Sequence, residues 1–174
     1  VWMHRADTVL VPQHAADYQG EFLYMEEGQV FDLGGRKLEV AWMPGHTPGS
    51  VVLLDKANGD CYSGDAFGSG EVWLQCVPMS PIATFHESCC RMEKLMKEGH
   101  IKDIWCGHYP YLKSSLPLAY IQTMIRISHR LMNGDQEGSE PYSNYFIKMP
   151  PTARKLAQGR AIIVYDSTNI PEAR

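Results

Sequence analysis

Apolar residues recur first at a spacing of two and later at three and four. Val30-Phe31-Asp32-Leu33, then Gly34-Gly35, then Arg36 to Trp42 reads as a strand, a two-residue turn and a second strand. Paired glycines supply the positive φ angles that so tight a turn needs. Val51 to Leu54 is apolar throughout and predicts a central strand with no wet face. The turn Ala57-Asn58-Gly59-Asp60 leads into Cys61-Tyr62-Ser63. Beyond Pro81 the period changes: Ile82, Phe85, Cys89, Met92, Leu95 and Met96 mark a helix closed by Gly99. Ile101 to Cys106 predicts a short strand. A second helix covers Leu116 to Met132, with Leu116, Tyr120, Met124, Ile127 and Leu131 on one stripe. Less regular stretches read as a strand end at 1–3, a short helix from Asp7 to about Tyr18 interrupted near Pro12, and a polar loop over 133–150. A last short helix is expected over Thr152 to Gln158 and a final strand over Ala161 to Tyr165. The class is α/β, and 174 residues suit one domain over 1–174.

Composition narrows the partners. With 44% hydrophobic and 21% charged residues, the chain has the makeup of a globular protein rather than a disordered one. The net charge of -4 carries no basic stripe, so nucleic acid is not an expected partner. No apolar run approaches the roughly 20 residues that span a bilayer, so no membrane is expected either. The first residues lack the basic start and apolar core of a signal peptide. The five cysteines include no Cys-x-x-Cys, so reduced thiols in the cytoplasm are the economical expectation.

Three segments share one design, in which a buried strand ends, glycine or proline turns the chain, and a metal-binding side chain follows. They are Pro44-Gly45-His46-Thr47-Pro48-Gly49-Ser50, Ser63-Gly64-Asp65-Ala66, and Cys106-Gly107-His108-Tyr109-Pro110. Strand ends are rigid enough to fix ligand geometry. Glycine clears room for a metal and its substrate, and imidazole with carboxylate suits zinc, iron or manganese. Taken singly, a histidine beside a turn is usually solvated and an aspartate after glycine usually serves the turn. The ordered triple is what points to a metal.

Gly45-His46-Thr47-Pro48-Gly49-Ser50, then Gly64-Asp65, then Gly107-His108 after a helix and a strand, resembles the metallo-β-lactamase superfamily and within it the glyoxalase II-like hydrolases. The resemblance spans roughly residues 29–110. It implies an αβ/βα sandwich, of which this chain would be the C-terminal half: one mixed sheet with flanking helices. It also implies two zinc ions, with iron or manganese as alternatives. His46 would complete the first site, Asp65 would bridge both and act catalytically, and His108 would belong to the second. The implied activity is hydrolysis of a small ester, thioester or lactone through a metal-bound hydroxide.

The family's His-x-His-x-Asp-His motif is absent: histidines stand at 4, 14, 46, 86, 100, 108 and 129, with no two separated by a single residue. The chain opens on Val1 as though entered in mid-fold. Self-association, or pairing with an N-terminal half of the same fold, is therefore expected beside a small-molecule substrate. An alternative is a catalytically inactive remnant serving as a structural or binding module. A flavodiiron-type oxidoreductase shares the fold but calls for further carboxylate ligands. His86 and His129 are expected on helices, at the surface or partly packed, and Asp7 and Asp17 at helix ends. Phe67, Trp73, Met79 and Tyr109 are expected mostly in the core, with a substrate cleft as the alternative.

Overall fold

The computed structural model describes residues 1–68, 70–74, 81–108, 114–145 and 149–171. The chain opens with β1 (Trp2–His4), a 3-10 turn (Arg5–Leu10) and one turn of helix, α1 (Val11–His14). Then follow β2 (Leu23–Met25), β3 (Val30–Asp32), β4 (Lys37–Trp42), β5 (Val51–Asp55), β6 (Asp60–Gly64) and β7 (Val72–Trp73). The remainder holds α2 (Ile82–Lys97), β8 (Asp103–Cys106), α3 (Leu118–Met132), β9 (Glu140–Pro141), β10 (Ala153–Gln158) and β11 (Ala161–Asp166). No helix among the described residues is long and apolar enough to cross a membrane.

The strands form a five-stranded sheet in the order β3-β4-β5-β6-β8, a four-stranded sheet β7-β11-β10-β9, and the parallel pair β1-β2. In the first sheet β3 to β6 run antiparallel, and β8 joins β6 in parallel after the crossover through α2. Gly34 and Gly35 turn the expected hairpin at φ 80° and 107°. β5 takes the central position that its unbroken apolar run predicts. Register puts Ala41, Val52, Leu54, Cys61 and Ile104 on one buried face. They join Phe85, Cys89 and Met92 of α2 and Ile121, Met124 and Ile127 of α3 in one core that also takes Ile163 and Tyr165. The other face carries Trp42 and Trp105, each more than a third exposed.

Several expectations are corrected. Thr152 to Gln158 is not a helix: Ala153–Gln158 is β10, paired with β11 from Ala153↔Asp166 to Gln158↔Ala161 around Gly159 at φ 61°. Its Arg, Lys, Leu, Ala and Gln favour helix locally, and the β11 partner overrides that preference. The helix expected from Asp7 breaks into the 3-10 turn and α1, with Pro12 at the start of α1. The second helix begins at Leu118, because Leu116 is bridged to Ile104. The 133–150 loop contains β9, and β2 had no period of its own to announce it. The single expected sheet is accompanied by two others. Cys61, Cys89, Cys90 and Cys106 are free thiols.

Candidate metal centre

His46 sits in the loop between β4 and β5. That loop is tied by Met43 N–H to Ser50 O at 2.9 Å, Ser50 N–H to Thr47 O at 3.3 Å and Thr47 N–H to Ser50 Oγ at 2.9 Å. Gly45 lies on the first turns of α2, where a Cβ would come within 2.7 Å of the Phe85 ring and 3.1 Å of its Cα. Ser88 donates to Pro44 O at 2.7 Å. From the chain's start, Asp7 accepts from Thr47 Oγ1 at 2.9 Å and from Gly49 N–H at 2.6 Å. Asp7 was expected to serve a helix end. It stands in the first turn of the 3-10 helix, and its carboxylate also holds this loop from 40 residues away.

His46 Nδ1 lies 2.8 Å from Trp73 O. A carbonyl only accepts, so Nδ1 carries the proton and Nε2 keeps the lone pair a ligand needs. Trp73 is fixed in turn by Glu71, which accepts from its indole N–H at 3.1 Å and from the Tyr142 hydroxyl. Burial, and then the bond to Glu71, push the Tyr142 phenol up to about 12.

Asp65 follows β6, where Gly64 takes φ 50° beside an irregularity in the pairing with β8. His108 follows β8 and is itself at φ 53°, a left-handed conformation unusual for a side chain with a Cβ. Gly107 N–H donates to Gly64 O at 2.7 Å, which locks the two strand ends together. The result sets His108 Nε2 3.4 Å from Asp65 Oδ2, with side chains 60% and 36% exposed. A Cβ on Gly107 would land against Asp65 Oδ1, whereas Gly64 is favoured by its positive φ alone. Nearby, burial raises the Cys106 thiol, and the Asp65 charge adds to the shift.

The structure thus pairs Asp65 with His108 and presents the Nε2 of His46 separately. No three His, Cys, Asp or Glu side chains among the described residues form a metal-holding group. Phe67 is core, fully buried and 6.4 Å from the Phe85 ring centroid to centroid. Met79 and Tyr109 lie outside the described residues. His4 accepts from Ala6 N–H and stacks on Trp42. His86 meets Ser128 and faces His129 between the two long helices. Sequence reasoning missed Asp7, Glu71 and Tyr142, and no local signal marks them, because their partners lie far along the chain.

Residues 3–86 match the family model for the metallo-beta-lactamase superfamily, a stretch that includes His46 and Asp65. The acyl-coenzyme A thioesterase MBLAC2 of Gallus gallus is 34% identical over 85 residues, which are 49% of this chain and 30% of that protein. The fold is similar to that of a metallo-beta-lactamase family protein, TTHA1429 from Thermus thermophilus, with a TM-score of 0.58 at 15% identity. That likeness covers 80% of this chain and 57% of the other. Residues 3–86 are thus similar to the metallo-beta-lactamase superfamily, and the fold of the chain is of that type. It is also similar to TTHA1623 in a di-iron-bound form, with a TM-score of 0.51 and 25% identity over 68% of this chain and 60% of that one.

The donors fit a metal in kind. Asp65 and His108 also stand at the separation of two ligands sharing an ion, and Trp73 leaves His46 in a ligating tautomer. In number they fall short, because a catalytic ion takes about three protein ligands. Residues matched to MBLAC2 make up less than a third of that protein's length.

Proposed function

We propose that this chain carries part of the active site of a metal-dependent hydrolase of acyl thioesters. The Asp65–His108 pair, held by the Gly107–Gly64 clamp, is the observation that carries the reading. Similarity to a protein named an acyl-coenzyme A thioesterase supports thioesters over the esters and lactones that the resemblance also implies. His46, Asp65 and His108 would hold the metal, with zinc expected and iron or manganese as alternatives. When bound, such an ion polarises a carbonyl and lowers the pKa of water. Asp65, with its side chain about a third exposed, would hold and orient the attacking water and accept its proton. The remaining donors would come from polypeptide packed on the face that exposes Trp42 and Trp105, from an N-terminal half of the same fold or another copy. We place the protein in a reducing cytoplasm, a setting its free thiols suit.

A second reading, an inactive structural or binding module, is favoured by the short ligand set among the described residues. One experiment separates the two. Metal content and thioester turnover are measured for this chain alone and together with a polypeptide bearing His-x-His-x-Asp-His. The hydrolase reading expects turnover only in the second case, abolished by Asp65→Ala. Inactivity of both versions on every thioester tried would favour the module.

A further inference from the structure

A cleft of about 430 Å³ opens between the start of α2, the end of α3 and the end of β11. That size lies within the range of small-molecule sites. Its walls are mostly apolar, with Leu74, Ile82, Ala83, Leu131, Met132 and Ile170 among them. Asp166 and Asn169 supply polarity, and the Asp166 carboxylate is already taken up by the Thr168 amide and hydroxyl, at 2.9 and 2.7 Å. No Lys, Arg or His is among its described lining residues, so none of these would compensate the phosphates of a nucleotide.

One covalent neighbour and one packing contact tie the cleft to the candidate metal centre. Leu74 directly follows Trp73, whose carbonyl receives His46 Nδ1. Ile82 and Ala83 belong to the turn of α2 that ends in Phe85, against which Gly45, the residue before His46, is packed. The wall of the cleft is therefore continuous with the backbone that positions His46. An uncharged, flexible, apolar occupant fits these walls, and its burial is driven by the area removed from water.

We infer that this cleft is the acyl-chain site of the enzyme: it takes the unbranched hydrocarbon tail of the thioester, while any charged leaving group stays outside. The inference rests on the thioester reading for its chemistry, and its test does not depend on turnover. The probe is decan-1-ol, titrated calorimetrically at two temperatures into the purified protein, with propan-1-ol as the short control. Decanol is expected to bind with a negative heat-capacity change, the mark of apolar burial, and propanol far more weakly. Ala83→Phe and, independently, Met132→Trp fill the cleft and are expected to weaken decanol binding by about tenfold or more, with circular dichroism unchanged. Asp65→Ala is expected to bind decanol as the parent does. Absence of decanol binding, or binding untouched by both cleft variants, overturns the inference. Decanol binding that the cleft variants weaken, in a protein that hydrolyses no thioester even when its ligand set is complete, leaves the cleft standing and removes the hydrolase reading alone.

Discussion

Asp7 and Gly49 are joined by a 2.6 Å hydrogen bond that crosses 42 residues of sequence, and the same carboxylate takes the Thr47 hydroxyl. The loop presenting His46 is therefore set by a residue in the first turn after β1. A charged acceptor satisfying a half-buried backbone amide contributes about 2 kcal/mol.

Asp7→Ala should lower unfolding stability by about 1–3 kcal/mol, with Asp7→Asn less affected because one oxygen acceptor survives. Urea denaturation followed by tryptophan fluorescence measures both. Equal stability of Asp7→Ala and the parent would show that the loop holds itself.

Gly107→Ala bears on the opposite side of the site. The added methyl would meet Asp65 Oδ1, the tip of a side chain that can rotate away, and it would also press on the backbone of Gly64. Folding should survive with a loss of about 1–2 kcal/mol, while Asp65 leaves His108. Zinc affinity, measured by competition with a chelating dye in the protein with its complete ligand set, should fall about tenfold or more. Unchanged affinity would mean that the Asp65–His108 approach is not used by the metal.

Tyr142 titrates late. Its phenol is held up at about 12 by burial and by the Glu71 carboxylate, against an ordinary value near 10. The folded state therefore retains the proton longer than the unfolded one. The contribution is complete below about pH 10 and is lost as pH rises through about 12. Tyrosinate absorbance should show a late step that vanishes in Tyr142→Phe and moves to lower pH in Glu71→Gln. A late step that persists in Tyr142→Phe would assign it to another residue.

His86 titrates early, because partial burial disfavours its charged form and His129 beside it adds repulsion. Its folded value lies below the unfolded one of about 6.5, so the unfolded chain binds more protons in that window. Stability is then full above about pH 6.5 and declines as pH falls through the folded value. Replacing His129 with Gln should move the His86 titration, followed by NMR of the imidazole protons, toward higher pH. No movement would remove His129 as a contributor.

Local pattern was enough for the elements whose own residues decide them. The Gly34-Gly35 hairpin, the central β5 and the stripes of α2 and α3 follow from turn chemistry and periodicity, which act over a few residues. The proposed donors His46, Asp65 and His108 rest on the same kind of local signal: the residue types that would clear space for a metal stand next to the residues that would bind it. β10 was misread, because its composition favours helix and only its pairing with β11 makes it a strand. Tertiary structure alone decided which donors meet. The Gly107–Gly64 bond draws Asp65 to His108 across 43 residues, a separation fixed by the parallel β6–β8 crossover. The Trp73 carbonyl selects the tautomer of His46, and Asp7 fixes its loop. None of these partners is a neighbour in sequence. Hydrogen bonds act over about 3 Å, so such pairs exist only once the fold has closed the distance.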